Sequence, residues 1–183
     1  MKIAMLDIET LAAESRARVI QIAAIVWESG NLTLPKSKPE KLEDYIFPTF
    51  SMLPDINYQQ NRVIDPSTIT FWMDMPDLYK RLTTNPSHPQ HCLQLFSEWY
   101  KEHKPEYCLC YGATFDHVIV QSLYNDFKMK NPIHYRDQLD MRTMVRQSQI
   151  KCPELPTWIE NHNALHDCVR QAIWCEEIFK QVK

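Results

Sequence analysis

The opening residues alternate by runs, not by helical stripes. Ile3-Ala4-Met5-Leu6 is apolar and leads into Asp7-Ile8-Glu9-Thr10. On a β-strand, residues two apart face the same way, so Asp7 and Glu9 project side by side while their neighbours fill a core. Residues 11–18 are a polar connection. Val19 to Trp27 is β-branched and nearly continuous, the pattern of a central strand. Ser29-Gly30-Asn31 is turn chemistry, so the chain is expected to fold back antiparallel. A third strand is expected around Leu42 to Phe47, closed by Pro48, with Lys36, Lys38 and Lys41 on a solvated loop. Residues 49–62 show no period and read as loop.

Helical spacing takes over afterwards. Asp65-Pro66-Ser67-Thr68 signals a helix start, followed by Ile69, Phe71 and Trp72. A second short helix is expected from Met75-Pro76-Asp77 to Leu82. From Gln90, the positions of Cys92, Leu93, Leu95, Phe96, Trp99 and Tyr100 make one apolar face, stopped by Lys104-Pro105. Tyr107 to Tyr111 reads as a strand ended by Gly112, with Thr114 as N-cap of a helix to about Lys128. A short extended piece near His134-Tyr135, a helix from about Asp140 to Gln147, a rigid loop at 152–156 and a helix from about Asn163 to Lys180 complete the chain. The order predicts an α/β fold, a mixed sheet flanked by helices, in one domain over residues 1–183.

Composition narrows the chemistry. Only two glycines occur among 183 residues, which excludes a P-loop and a Gly-x-Gly-x-x-Gly dinucleotide fingerprint. A net charge of −3 argues against a broad duplex binder but not against an enzyme gripping a nucleic acid through metal ions. No apolar run can span a bilayer, and Asp7 and Glu9 interrupt any signal-peptide core. The six cysteines then read as reduced thiols, and a cytoplasmic protein without a membrane partner is expected. Cys108 and Cys110 fall on a strand and read as core. His88, His91 and Cys92 lack a fourth ligand of fitting spacing, so a helix N-terminus is preferred over zinc.

Asp-x-Glu alone is a weak signal. It gains weight from Asp116, at the opening of the helix after the fourth strand, and from Asp167, in the first turns of the last helix. Strand ends and helix starts converge at one edge of such a sheet. Four carboxylates gathered there call for divalent cations, Mg²⁺ or Mn²⁺, in a two-metal clamp for phosphodiester attack. His162 stands five residues before Asp167, with a pKa range suited to a general base.

Asp7-Ile8-Glu9-Thr10, Phe115-Asp116 and His162-Asn163-Ala164-Leu165-His166-Asp167 resemble the three motifs of the DEDDh (DnaQ-like) 3′-5′ exonucleases. Ser67-Thr68-Ile69-Thr70-Phe71-Trp72, Asp140-Met141-Arg142-Thr143 and His166-Asp167-Cys168 are similar to stretches of the branch that holds the T-even phage exonuclease A and a mycobacterial exoribonuclease preferring adenylate-rich RNA. The resemblance implies an RNase H-like fold with a five-stranded mixed sheet. It implies that Asp7 bridges two metal ions, Glu9 and Asp167 complete the nucleophile-side ion, Asp116 serves the other, and His162 is the base. Thr10 and Leu11 would meet the terminal nucleotide, the Thr10 backbone near the 3′-OH and Leu11 wedged against the base. Phe115 and Trp72 join them as substrate-facing candidates, although residue statistics favour a core role for Trp72. Arg142 and Arg146 are candidates for phosphate contact or for a solvated helix face. Gly112-Ala113-Thr114 departs from relatives that carry an asparagine before the Phe-Asp pair.

The expected activity is metal-dependent removal of nucleoside monophosphates from single-stranded 3′ ends, DNA or RNA. Several relatives are dimers, so a homodimer is one of the oligomeric states left open by the sequence. Two rivals are a catalytically silent nucleic-acid-binding module of the same fold and a phosphodiesterase for very short oligonucleotides.

Overall fold

The computed structural model describes residues 1–181. Its sheet has five strands: β1 (Lys2–Thr10), β2 (Val19–Glu28), β3 (Thr49–Met52), β4 (Tyr107–Cys110) and β5 (Gln138–Asp140), in the order β3-β2-β1-β4-β5. β1 is antiparallel to β2 and parallel to β4. β3 adds antiparallel to β2, and β5 parallel to β4. The helices are α1 (Pro66–Met73), α2 (Pro76–Leu82), α3 (Pro89–His103), α4 (Asp116–Asp126), α5 (Met141–Ser148) and α6 (Ala164–Gln181).

β1 is central because both of its faces are apolar. Ala4, Leu6 and Ile8 join the cluster that α3 and α4 complete with Leu93, Phe96, Ile119 and Leu123. Ile3 and Met5 join the opposite cluster with Met141 of α5 and Leu165, Cys168, Val169 and Ala172 of α6. Asp7 and Glu9 continue the α6-side row by the two-residue period of the strand. They lie opposite Ala23 and Gln21 of β2, and the register slips between Glu9 and Thr10, as at a bulge. A third cluster caps this end: Leu11, Ile20, Trp72, Leu78 and Leu82, under α1 and α2.

Three expectations need correction. No strand forms at 42–47. Leu42–Asp44 is a single 3-10 turn, in which the Asp44 carboxylate accepts from the Glu40 and Lys41 amides at 3.1 and 2.9 Å. A local side-chain-to-backbone turn thus outcompetes the ladder there. The strand lies just beyond Pro48, in residues expected to be loop, and pairs with Ile22–Ile25 while Phe50 enters the core. At α4, Thr114 is not the cap: Ala113 to Phe115 form a turn, with the Phe115 amide on the Gly112 carbonyl at 2.8 Å, and the helix begins at Asp116. The extended piece expected at 134–135 lies instead at 138–140, in register with β4.

Candidate active site

Three elements carry the acidic residues. β1 supplies Asp7 and Glu9, α4 opens on Asp116, and the first turns of α6 carry Asp167. Gln21 of β2, opposite Glu9, sets the height of α6: its carbonyl oxygen accepts from the Ala164 amide at 2.9 Å and its amide donates to Asn163 Oδ1 at 3.3 Å. Carboxylate oxygens of Asp7, Glu9 and Asp167 all lie within 4.8 Å of one another, the one such cluster of potential ligands among the described residues. Asp116 adjoins it, and the Ile8 amide and the Cys110 thiol favour its ionised form.

Burial and mutual repulsion disfavour ionisation here. Asp7 is raised well above the usual carboxylate range by burial and then by Asp116, Asp167 and Glu9. Glu9 is pushed up to about 8 by burial, with Asp167 and Asp116 adding to it. Burial lifts Asp116 to about 7. Asp167 is raised as well by burial, although Arg170 and His162 oppose the shift. One polar atom in the cluster, Gln171 Oε1, is buried without a hydrogen-bond partner, and Asp167 Oδ1 has the Arg170 ion pair but no hydrogen bond. Crowded, all-oxygen, under-satisfied donors suit a hard divalent cation, which replaces repulsion with coordination.

The next turn of α6 supports these carboxylates. Gln171 Nε2 donates to Asp7 Oδ1 at 2.7 Å, and an Arg170 guanidinium nitrogen lies 2.7 Å from Asp167 Oδ1 as an ion pair. Neither residue stood out in the sequence. Both lie three or four positions after Asp167, so helical spacing alone could have marked them.

His162 precedes α6, exposed, with a left-handed backbone (φ +60°). Its amide favours an ionised Asp167 carboxylate, and its ring meets the Phe71 ring edge-on at 4.9 Å. His166 is buried: its Nδ1 accepts from the Glu160 amide at 3.0 Å and Trp158 packs against it at 5.6 Å. Burial lowers its pKa, so it is a neutral packing residue.

The substrate-facing candidates divide. Trp72 is 2% exposed, and its indole donates to the Thr10 carbonyl at 2.9 Å, so it takes the core role. Leu11 is 1% exposed in the same cluster, because α1 and α2 close over the strand end; it offers no wedge to solvent. The Thr10 hydroxyl donates to the Ala12 carbonyl at 2.7 Å. Phe115 is half-buried against the α3–α4 cluster. Phe71, overlooked beside Trp72, is 40% exposed and reaches His162. Arg142 stacks on Tyr111 at 5.2 Å, donates to the Tyr111 carbonyl at 3.0 Å, and its charge favours an ionised Asp116. His88 caps α3 through Nδ1, and Cys92 is buried, as a helix N-terminus requires.

A sheet in this order with acidic residues on its central strand and on flanking helices defines the RNase H-like class of DEDDh exonuclease folds. Among solved structures, the chain is similar to the nuclease domain of 3′hExo, a DEDDh family member bound to rAMP, with TM-score 0.63 and 13% identity over 98% of this chain and 92% of that one. It is similar to product-bound exonuclease I (TM-score 0.62, 12% identity, 98% of this chain), of which it spans 43%. It is also similar to S. pombe Pop2p in a Mg²⁺- and Mn²⁺-bound form (TM-score 0.59, 13% identity, 98% and 83% covered). No curated protein matches in sequence. Residues 2–179 match the model of the Rv2179c-like 3′-5′ exoribonuclease domain, and the chain belongs to that family.

Proposed function

We propose that the protein is a divalent-metal-dependent exoribonuclease that removes nucleoside monophosphates from single-stranded RNA, one at a time from the 3′ end. The observation that carries this is the convergence of Asp7, Glu9 and Asp167 within 4.8 Å, beside Asp116 and His162, in a chain matched to an exoribonuclease family over residues 2–179. Asp7 would be shared by two ions, Glu9 and Asp167 would hold one and Asp116 the other. Bound Mg²⁺ or Mn²⁺ would lower the pKa of water and stabilise charge on the phosphoryl oxygens.

The chain's own groups do the rest. Gln171 fixes the rotamer of Asp7 through the 2.7 Å bond. His162 accepts the proton as water attacks phosphorus and the P–O3′ bond breaks; the departing 3′-oxygen is protonated by solvent. Phe71, edge-on to His162, would steady its ring and offer a face to an unstacked base. The Arg142 guanidinium, fixed on Tyr111, would contact a phosphate oxygen.

The test is a 5′-labelled single-stranded oligoribonucleotide with Mg²⁺ or Mn²⁺, beside a chelated control. A ladder shortening by single nucleotides, blocked by a 3′-phosphate and not by a 5′-phosphate, is expected. Asp7→Asn should abolish it while melting at the same temperature or higher, because one repelling charge is gone. Internal cuts in a circular single strand would rule out the 3′-end reading. A matched oligodeoxyribonucleotide degraded equally fast would rule out RNA preference.

A further inference from the structure

We infer that Arg170 is a positioning residue for the general base: its guanidinium fork ties the loop that carries His162 to the metal ligand Asp167. The inference rests on the exonuclease reading of the site. One fork nitrogen, Nη1, donates to Asn161 Oδ1 at 2.8 Å, and the other, Nη2, lies 2.7 Å from Asp167 Oδ1. Asn161 immediately precedes His162. A planar fork can hold two acceptors in fixed relation, which an ammonium on a flexible stem cannot.

The loop needs holding. His162 has φ +60°, a region that non-glycine residues occupy only where their surroundings require it. On the α1–α2 side, Phe71 touches the His162 ring and Arg81 pairs with Glu160. On the α6 side, the Arg170 fork joins Asn161 to Asp167, whose ionised form the His162 amide also favours. The Arg170 side chain is 31% exposed, so the pair adds little to stability by itself. Its placement beside crowded carboxylates has a second effect: it competes with a bound cation for Asp167. Removing it should therefore move two readouts in opposite directions, which loss of a merely structural residue would not do.

The experiment uses the full chain and three single variants, Arg170→Met, Arg170→Lys and Asn161→Ala. Mn²⁺ binding is measured by calorimetry without RNA, and kcat and KM on an oligoribonucleotide at saturating Mg²⁺. Arg170→Met should bind Mn²⁺ about two- to five-fold tighter, the worth of a part-exposed ion pair. Its kcat should fall about 10–100-fold with KM unchanged, as for loss of a group that orients a site residue. Arg170→Lys should restore wild-type Mn²⁺ affinity but not kcat. Asn161→Ala should keep wild-type affinity and lose kcat, and adding Arg170→Met to it should lower kcat little further. Wild-type turnover in Asn161→Ala or in Arg170→Lys would overturn the tether, as would weaker Mn²⁺ binding in Arg170→Met. Asn161→Ala decides the matter if Arg170→Met does not fold. An active wild type with unaffected variants sinks this inference alone; an inert wild type sinks the exonuclease reading and this inference with it.

Discussion

At the scale of the residue, the two histidines of the third motif show how environment assigns roles. Both precede Asp167 in sequence, but His166 spends Nδ1 on the Glu160 amide and is buried, whereas His162 is exposed beside the carboxylates. His162→Ala should lower kcat by about 10²–10⁴-fold, the usual loss of a general base, with the melting temperature kept. His166→Ala should leave most of kcat and instead cost about 1–3 kcal/mol of stability, since it orphans the Glu160 amide and opens a hole beside Trp158. A larger turnover loss in His166→Ala would reverse the assignment. Sequence spacing was enough to bring together Asp7, Glu9, Asp116, His162 and Asp167, because each stands at the end of a legible strand or helix. It could not separate Phe71 from Trp72. Adjacent helical residues point about 100° apart, and which one faces the core depends on the partner surface, here Leu11 and Ile20, not on the helix itself.

At the scale of the element, the connection from β4 to α4 decides where Asp116 sits. The chain must turn within a few residues so that the helix starts above the end of β1. Gly112 makes that turn at φ +129°, and a Cβ there would lie 3.0 Å from Arg142 Nη2. Gly112→Ala is expected to destabilise the fold by about 1–3 kcal/mol from backbone strain. It should also push Arg142 off Tyr111 and weaken activity beyond the stability loss; denaturant titration and kcat/KM on one preparation check both, and an unaltered variant would contradict the geometry. Strands β1, β2 and β4 were legible because they are apolar and buried on both sides. β3 was not: it is an edge strand of four residues whose one deep side chain is Phe50. Its pairing is imposed by β2, so no period of its own announces it.

For the whole molecule, the site is a store of electrostatic strain in the metal-free state. Glu9 moves from 4.5 to about 8 and Asp116 from 3.8 to about 7 on folding, so the folded chain holds more protons than the unfolded one across that interval. Stability from these groups is full below their unfolded values and is lost as pH rises through about 7 to 8. The metal-free protein should therefore melt at lower temperature at pH 9 than at pH 6, by about 2–4 °C for each kcal/mol involved. Saturating Mn²⁺ should remove most of that slope and release protons on binding, more of them at pH 6. Scanning calorimetry with and without Mn²⁺ reads the first, and titration in buffers of different ionisation enthalpy the second. A flat metal-free profile would mean that the carboxylates are better solvated than the fold implies.

The seating of α6 also bears on time. A ribosome delivers the chain N-terminus first, so Asp7 and Glu9 emerge long before residues 164–171, which bring Asp167, Arg170 and Gln171. Until then one face of the sheet lacks Leu165, Cys168, Val169 and Ala172, and the carboxylate cluster lacks a member. Packing and assembly of the carboxylate cluster are thus one event: a copy that has not yet seated α6 has neither that face of its core nor Asp167 beside Asp7 and Glu9.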